Sequence, residues 1–280
     1  MSAARLAELN VYPVKGCRRT ATPAAQVGAR GLAGDREWMV VRVDRVFISQ
    51  RTHPALARIV PRLGRAGLEL ACAGRAGLSV AVPNTGAETL VSIWGASCVA
   101  RDAGEPAAAW LSAVLAEPVR LVRIAPHAQR AADRAFVGDR DVPLAFADGY
   151  PLLVCNAASL AELNRRLPAP VPMERFRPNL VLTGLEPFAE DGLAGLAIGA
   201  LVLDLVKPCT RCRVPSIDQA SGEPASDPLP ALKAFRYDRA LRGVTFGVNA
   251  VVRSGIGAEL RTGMPVALRA RVEAVPRAAQ

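Results

Sequence analysis

The hydrophobic pattern of this chain consists of short alternating runs, broken at close intervals by glycine, proline and asparagine. Apolar and polar positions alternate over 7–12, a run that ends at Pro13. Two further strand-like runs, 38–43 and 46–51, apolar-rich rather than alternating, flank Asp44-Arg45, a pair suited to a hairpin turn. Further strand patterns fall at 57–63, 68–72, 78–82 and 89–94. Strands at such regular spacing, with turn residues between them, predict an all-β barrel or sandwich.

Residues 106–116 change period. Trp110, Leu111, Val114 and Leu115 recur on one face of a helix. A second block of strands opens at 119–124. The polar, charged segment 127–141 reads as a long loop and 152–155 as a strand. A helix over 158–167 is stopped by Pro168 and Pro170. Strand patterns return at 179–183, 201–206, 245–252 and 266–272, with a short helix over 229–237. The expected class is mainly β with peripheral helices (α+β), in two packed modules spanning 1–118 and 119–275.

Composition narrows the range of partners more than it alters the fold. At 280 residues, 51% of them hydrophobic and 21% charged, the chain is globular and long enough for one large or two ordinary domains. The 35 basic and 25 acidic residues leave a net charge of +10. The arginines are spread along the whole chain and aromatics make up only 5%, so nucleic acid is not the expected partner. A basic cleft for an anionic ligand accounts for the charge as well. Lysine occurs only at Lys15, Lys207 and Lys233. Residues 1–10 hold no apolar signal-peptide core, and no run approaches the roughly 18 apolar residues of a membrane span. Six unpatterned cysteines suit a reducing compartment. A soluble, cytoplasmic protein without membrane attachment is the expectation.

The densest chemistry lies in Lys207-Pro208-Cys209-Thr210-Arg211-Cys212, followed by Arg213 and the turn-forming Ile217-Asp218-Gln219-Ala220-Ser221-Gly222. Cationic neighbours favour the thiolate, the form that attacks electrophiles and binds soft metals. A zinc site would need four ligands, yet Cys17, Cys72, Cys98 and Cys155 are scattered singly and the histidines are only His53 and His127. A thioredoxin-type pair would open a helix, whereas these cysteines follow the predicted strand 201–206. Two purely structural cysteines remain an alternative. Taken singly, Lys15 and Arg51 read as surface cations, Asn179 as a turn residue, Asp35-Arg36 as an ion pair and the two histidines as structural.

The pattern Lys-Pro-Cys-x-Arg-Cys-x5-Asp-x3-Gly resembles the signature of MOSC domains, modules that bind the molybdenum cofactor. Within that family the chain is most similar to the mitochondrial amidoxime-reducing component and to bacterial reductases of N-hydroxylated bases. The resemblance covers nearly the whole chain. It starts at Val11-Tyr12-Pro13-Val14-Lys15-Gly16-Cys17 and passes through Gly34-Asp35-Arg36, Ser49-Gln50-Arg51 and Phe176-Arg177-Pro178-Asn179. It ends with Thr245-Phe246-Gly247-Val248-Asn249 and Thr262-Gly263-Met264-Pro265-Val266.

The resemblance implies an N-terminal β-barrel domain packed on a MOSC β-barrel domain. It also implies a molybdenum-cofactor (molybdopterin) oxidoreductase that reduces N-hydroxylated nucleobases, amidoximes or hydroxylamines. The cofactor would be bound by Lys15, Gly16, Arg51, Asp148, Gly149, Arg177, Asn179, Cys209, Arg211, Arg236 and Asn249. The mitochondrial proteins carry a metal-ligating cysteine just after a Leu-Lys-x-aromatic-Arg stretch. Here Leu232-Lys233-Ala234-Phe235-Arg236 is followed by Tyr237 and Asp238. The molybdenum ligand and catalytic residue then falls to Cys212, with Cys209 second. The chain has no group of four close cysteines for an iron–sulfur cluster, so a reductase of this kind takes electrons from a separate donor protein. The alternative is a cofactor carrier or sulfur-transfer protein that uses a cysteine persulfide on Cys212.

Overall fold

The computed structural model describes residues 3–84 and 87–271. Most of the chain forms strands, organised around one large sheet and several smaller ones, with short helices at the periphery. The expected last strand, 266–272, ends one residue beyond the described part, as does the tail of the module drawn to 275.

The large sheet runs Ala267–Ala270, Leu193–Ile198, Leu201–Thr210, Gly243–Ser254, Leu152–Asn156, Leu180–Thr183, Arg5–Val11 and Thr20–Thr22, with Tyr237–Asp238 added to Gly243–Ser254. The pair Leu152–Asn156 and Leu180–Thr183 is parallel, and the helix Ala157–Asn164 lies in the crossover between them. Parallel neighbours need such a crossover, because a tight hairpin can join only antiparallel strands.

The ends of this sheet meet. Leu6 N–H donates to Met264 O at 3.0 Å, Val266 N–H to Ala4 O at 2.9 Å and Gly263 N–H to Leu6 O at 2.7 Å. The segment leading into Ala267–Ala270 thereby pairs with the first strand, and the sheet closes as a barrel with few unsatisfied edges. Leu6, Val154, Leu182, Leu203, Val248 and Leu260 fill the interior, each almost wholly buried.

The second unit pairs Trp38–Arg42, Val119–Ile124, Ala96–Asp102 and Glu88–Ile93 in that order, beside a meander of Val60–Gly64, Gly67–Ala71 and Leu78–Ala81. The helix Glu105–Leu115 packs Leu111 onto Trp38, Leu56, Ile59, Leu68 and Leu121. Pro106 occupies its first turn, where a missing N–H costs nothing. The two units are laced together: the first strand sits in the barrel, while Val119–Ile124 sits in the sheet of the second unit.

Several local expectations shift for physical reasons. Residues 46–51 form no strand of their own. The chain does turn back at Asp44-Arg45, with Arg42 N–H bonded to Val46 O, and touches the sheet through bridges at Val46 and Phe47 and through Ile48 N–H to Val40 O at 3.1 Å. Ser49–Arg51 then peels away toward the cleft described below. The run 57–63 opens as a 3-10 turn over Pro54–Arg58, which the proline initiates. The strands Ala96–Asp102 and Leu193–Ile198 had no sequence forecast, because their alanines and glycines carry little β signal. The loop 127–141 holds one helical turn, Arg134–Val137, whose N-terminus is capped by Asp133.

Gly247 lies inside the strand Gly243–Ser254 with φ 75°, and a Cβ there would sit 2.6 Å from Cys155 Sγ and 2.8 Å from Val154 O. Left-handed strain and overpacking together predict that Gly247→Ala destabilises the protein by about 2–4 kcal/mol. A guanidinium unfolding curve with an unchanged midpoint would contradict this packing.

Candidate functional site

A cleft opens where loops from both units converge, with about 1080 Å³ of empty space that includes open solvent. That is room for a large organic ligand. Its wall begins just past the first strand. Lys15 N–H bonds to Trp38 O at 2.7 Å, and Gly16 turns the chain with φ 81°. The Lys15 side chain is 7% exposed; Nζ donates to Phe146 O at 2.9 Å and pairs with the Asp148 carboxylate. Burial lowers the pKa of Lys15, with the Asp148 carboxylate opposing.

Asp148 stands at the mouth with its side chain 75% exposed. Desolvation within the cleft acts to raise its pKa, but Lys15 and the indole N–H of Trp94 outweigh it and hold the carboxyl below the usual range. Arg130 braces this loop from behind, donating to the carbonyls of Ala145, Ala147 and Asp148.

Opposite, Arg177 sits at φ 58°, a left-handed conformation rare for a non-glycine residue. It caps the 3-10 turn Met173–Phe176 through Arg177 N–H to Glu174 O at 3.1 Å; Arg36 Nη2 donates to Arg177 O at 3.4 Å, and Arg177 Nη1 donates to Cys17 O at 2.8 Å. The guanidinium groups of Arg36 and Arg177 both lie over the Tyr12 ring, at 4.5 and 4.3 Å. Burial also lowers the pKa of Arg177.

Asn179 is buried and its side chain is fully engaged. Its amide donates to Asn10 O and Asp35 Oδ1, while its oxygen accepts from Arg36 and from Leu153 N–H. It shapes the cleft wall and keeps no side-chain bond in reserve for a ligand.

The two cysteines differ. Cys209, near the end of Leu201–Thr210, is partly buried and accepts from Arg211 Nη1 at 3.0 Å. Cys212 lies just past the strand and is exposed. The loop that follows is anchored at Asp218, which accepts from Ala220 N–H and Ser221 N–H, and at Gly222, where a Cβ would sit 2.9 Å from Pro54 O. A reciprocal amide pair, Gln50 with Gln219 at 2.9 and 3.0 Å, joins that loop to the Arg51 segment.

Lys15, Gly16, Arg51, Asp148, Gly149, Arg177, Asn179, Cys209, Arg211, Cys212 and Asn249 all line the cleft. Arg236 does not. Its helix turns it away, where it pairs with Asp191 at 2.6 Å, donates to Thr245 Oγ1 and lies over Phe188. Arg36, expected from the Gly34-Asp35-Arg36 motif to pair with Asp35, was not among the expected cofactor-binding residues. It does pair with Asp35, and it also lines the cleft. Gln50, from the Ser49-Gln50-Arg51 motif, and Tyr150, next to Asp148-Gly149, line it too; so does Trp94, which nothing in its local sequence marks out.

Residues 3–118 match the MOSC N-terminal beta barrel domain and 141–267 the MOSC domain. The chain is 33% identical over 242 residues to the mitochondrial amidoxime-reducing component 1 of Homo sapiens, covering 82% of this chain and 72% of that protein. The chain belongs to the MOSC-domain family.

A second relative, the molybdenum cofactor sulfurase of Danio rerio, is 32% identical over 270 residues, which span 88% of this chain but only 32% of that longer protein. The crystal structure of YiiM from Geobacillus stearothermophilus aligns over 42% of this chain and 54% of its own at 20% identity. Its TM-score of 0.30 is too low to add to the argument.

As in any folded MOSC chain, thiol chemistry should follow exposure. Burial pushes Cys17 up to about 12 and Cys155 well above the usual thiol range, so both stay protonated and covered. A chromogenic aromatic disulfide should react with Cys212 first and Cys209 more slowly. The four buried cysteines should react only after denaturation. Loss of the fast phase in Cys212→Ser checks the assignment, and rapid native reaction of a third thiol would contradict it.

Proposed function

We propose that this MOSC protein is a molybdenum-cofactor-dependent reductase of small N-hydroxylated compounds, supplied with electrons by a separate protein. The observation that carries the reading is the charge of the cleft. Lys15, Arg36, Arg51, Arg177 and Arg211 line it against a single carboxylate, Asp148. So many cations beside one acid suit an anionic ligand.

Three further features fit a molybdopterin in particular. Arg211 Nε and Tyr150 Oη are buried in the cleft wall without hydrogen-bond partners among the described residues, so they are available to a polar ring system. Cys212 offers an exposed soft ligand. Among the described residues, no three His, Cys, Asp or Glu side chains come together to cage a metal. A metal at this site would therefore bring most of its ligands with it, as a dithiolene cofactor does.

The chain's own groups divide the work. Arg51 and Arg177 grip the anionic tail, with Arg36 keeping Arg177 in its strained conformation. Lys15 presents a fixed cation. Arg211 holds Cys209 aside and leaves Cys212 as the free thiol. When bound, the cofactor supplies a two-electron redox metal able to take oxygen from an N–O bond. Names among the relatives support this reading: one is an amidoxime-reducing component and another a molybdenum cofactor sulfurase. The exposed Cys212 among cationic neighbours keeps a carrier that holds a persulfide on that thiol as the second reading.

Protein made in a cofactor-competent host should contain molybdenum and, with an artificial reductant, reduce benzamidoxime and 6-hydroxylaminopurine. Metal without turnover of either would remove the reductase reading. Persulfide on Cys212 by mass spectrometry, with substoichiometric molybdenum, would favour the carrier. Cys212→Ser should abolish turnover and lower cofactor content without emptying the site.

Each charge-assisted bond lost should cost about 1.5–3 kcal/mol, roughly ten- to hundredfold in affinity. Arg51→Ala and Arg177→Ala should therefore fold yet retain far less cofactor than a control at exposed Arg65. Equal retention by all three would sink the anion-site assignment.

A further inference from the structure

Beside the cleft, on the side of the exposed Cys212, the fold leaves a cationic rim that the cavity itself does not use. Thr210 pairs with Thr245 in antiparallel register, and Arg211 N–H donates to Val244 O at 2.8 Å. Cys212 and Arg213 therefore leave their strand at the end where Gly243, preceded by Arg242, opens the next one. On the far side of that strand Tyr237 pairs with Val244 and Asp238 with Gly243, and the turn 239–242 joins the two. These strand ends bring Cys212, Arg213, Tyr237, Arg239 and Arg242 to one edge of the molecule.

The residue types on this rim are unusual in combination. Arg213, Arg239 and Arg242 are exposed, and none pairs with a carboxylate among the described residues, whereas neighbouring Arg236 does. Asp238, the acid beside the turn, accepts from Leu241 N–H. Arg242 holds φ 51°, a conformation that non-glycine residues rarely adopt. Tyr237 is 49% exposed, although its ring could have packed on the helix Leu229–Arg236 that precedes it. An exposed aromatic among unpaired arginines is the composition of a protein interface. Unpaired cations also steer an acidic partner toward the contact.

We infer that this rim is the docking surface for a small acidic one-electron carrier protein. The inference rests on the reductase reading and deepens it, since that reading requires a separate donor. Tyr237 packs against the carrier, and Arg213, Arg239 and Arg242 face its carboxylates. Docking there sets the carrier beside Cys212, and electron transfer falls steeply with distance. Two encounters deliver one electron each, and each carrier leaves oxidised by one electron. With two protons, that pair of electrons converts N–OH to N–H and water. The competing role is edge protection, in which the arginines keep other strands from pairing with Tyr237–Asp238. Glutamate guards an edge equally well, so charge reversal separates the two roles.

The probe is a reduced ferredoxin of the acidic plant type, used beside the same ferredoxin with its surface carboxylates amidated. Arg239→Glu/Arg242→Glu and Tyr237→Ala are compared with Arg62→Glu/Arg65→Glu, an equal charge change on an exposed hairpin of the second unit. In ferredoxin-driven reduction of benzamidoxime, both rim variants should raise the KM for ferredoxin about tenfold or more. The hairpin control should shift it about twofold at most. Added salt should raise that KM in the unaltered protein and far less in Arg239→Glu/Arg242→Glu. Amidated ferredoxin should serve the unaltered protein as poorly as intact ferredoxin serves the charge-reversed one. Turnover with methyl viologen as reductant, and molybdenum per chain, should stay unchanged throughout.

Equal loss in the hairpin control leaves only a diffuse basic surface and overturns the inference. An unchanged KM in both rim variants overturns it too. So does failure of ferredoxin to drive a protein that methyl viologen does drive, and the reductase reading then stands. If methyl viologen drives no turnover, the reductase reading falls by itself. Calorimetry of ferredoxin at low salt then decides the rim: binding weakened in the rim variants upholds the acidic-protein surface. Binding that is absent, or that those variants do not weaken, overturns it.

Discussion

The carboxylate of Asp35 is the point on which the two units and the cleft depend. It is almost wholly buried, and it accepts from Tyr12 N–H at 2.8 Å, from Asn179 Nδ2 at 3.0 Å and from the Arg36 guanidinium. Those partners come from the end of the first strand, from the approach to Leu180–Thr183 and from the loop leading into Trp38–Arg42. A buried charge is tolerable only when its lone pairs are satisfied, and removing one partner of a buried pair costs about 3–5 kcal/mol. The barrel, the second unit and the cleft wall are thus joined at one ion.

That junction also orders the cations. Asp35 fixes Arg36, Arg36 fixes the backbone of Arg177, and the Tyr12 ring lies beneath both guanidinium groups. Two like charges are held close together, Arg36 paired to Asp35 and Arg177 without a carboxylate of its own among the described residues, and burial lowers the pKa of Arg177 with Arg36 adding to the shift. An anionic ligand would relieve this repulsion, so the preorganised cost becomes binding selectivity for anions. Across the cleft, the Lys15–Asp148 pair is built differently, with one partner buried and the other at the solvent edge. One wall therefore favours an anion, while the mouth also presents an acceptor.

Much of the fold was legible because strands in a half-buried sheet must alternate. The first strand, Gly67–Ala71, Leu78–Ala81 and the helix Glu105–Leu115 appear close to where periodicity put them, and Trp38–Arg42 where its continuous apolar run did. Alternation fails where composition is bland, as in the Ala- and Gly-rich Leu193–Ile198, and where turn chemistry is unusual. Trp94-Gly95 is such a case: tryptophan at a left-handed turn position concealed the hairpin into Ala96–Asp102. Much of the cleft lining was legible in motifs, since Lys15, Arg51, Arg177 and the Cys209–Cys212 segment lie in stretches that carry the family resemblance and all line the cleft. Arg236 shows the limit of such reading. It sits in a recognisable motif, yet the direction of a helical side chain depends on what its helix packs against, here Asp191 and Phe188.

The sequence by itself therefore determined the class of the fold, the resemblance to the family and most of the residue types that line the cleft. The first follows from period and turn spacing and the others from short motifs in a fixed order, all of them properties of neighbouring residues. Only the tertiary structure decided how the ends of the large sheet meet through 263–266 and the first strand, which thiol stays free, and which cations face the same space. Those outcomes depend on residues more than a hundred positions apart arriving within hydrogen-bonding distance, as Lys15 does at Phe146 and Tyr12 at Pro178. No local pattern carries that information, because closure of the barrel and satisfaction of its buried polar groups are conditions on the whole chain at once.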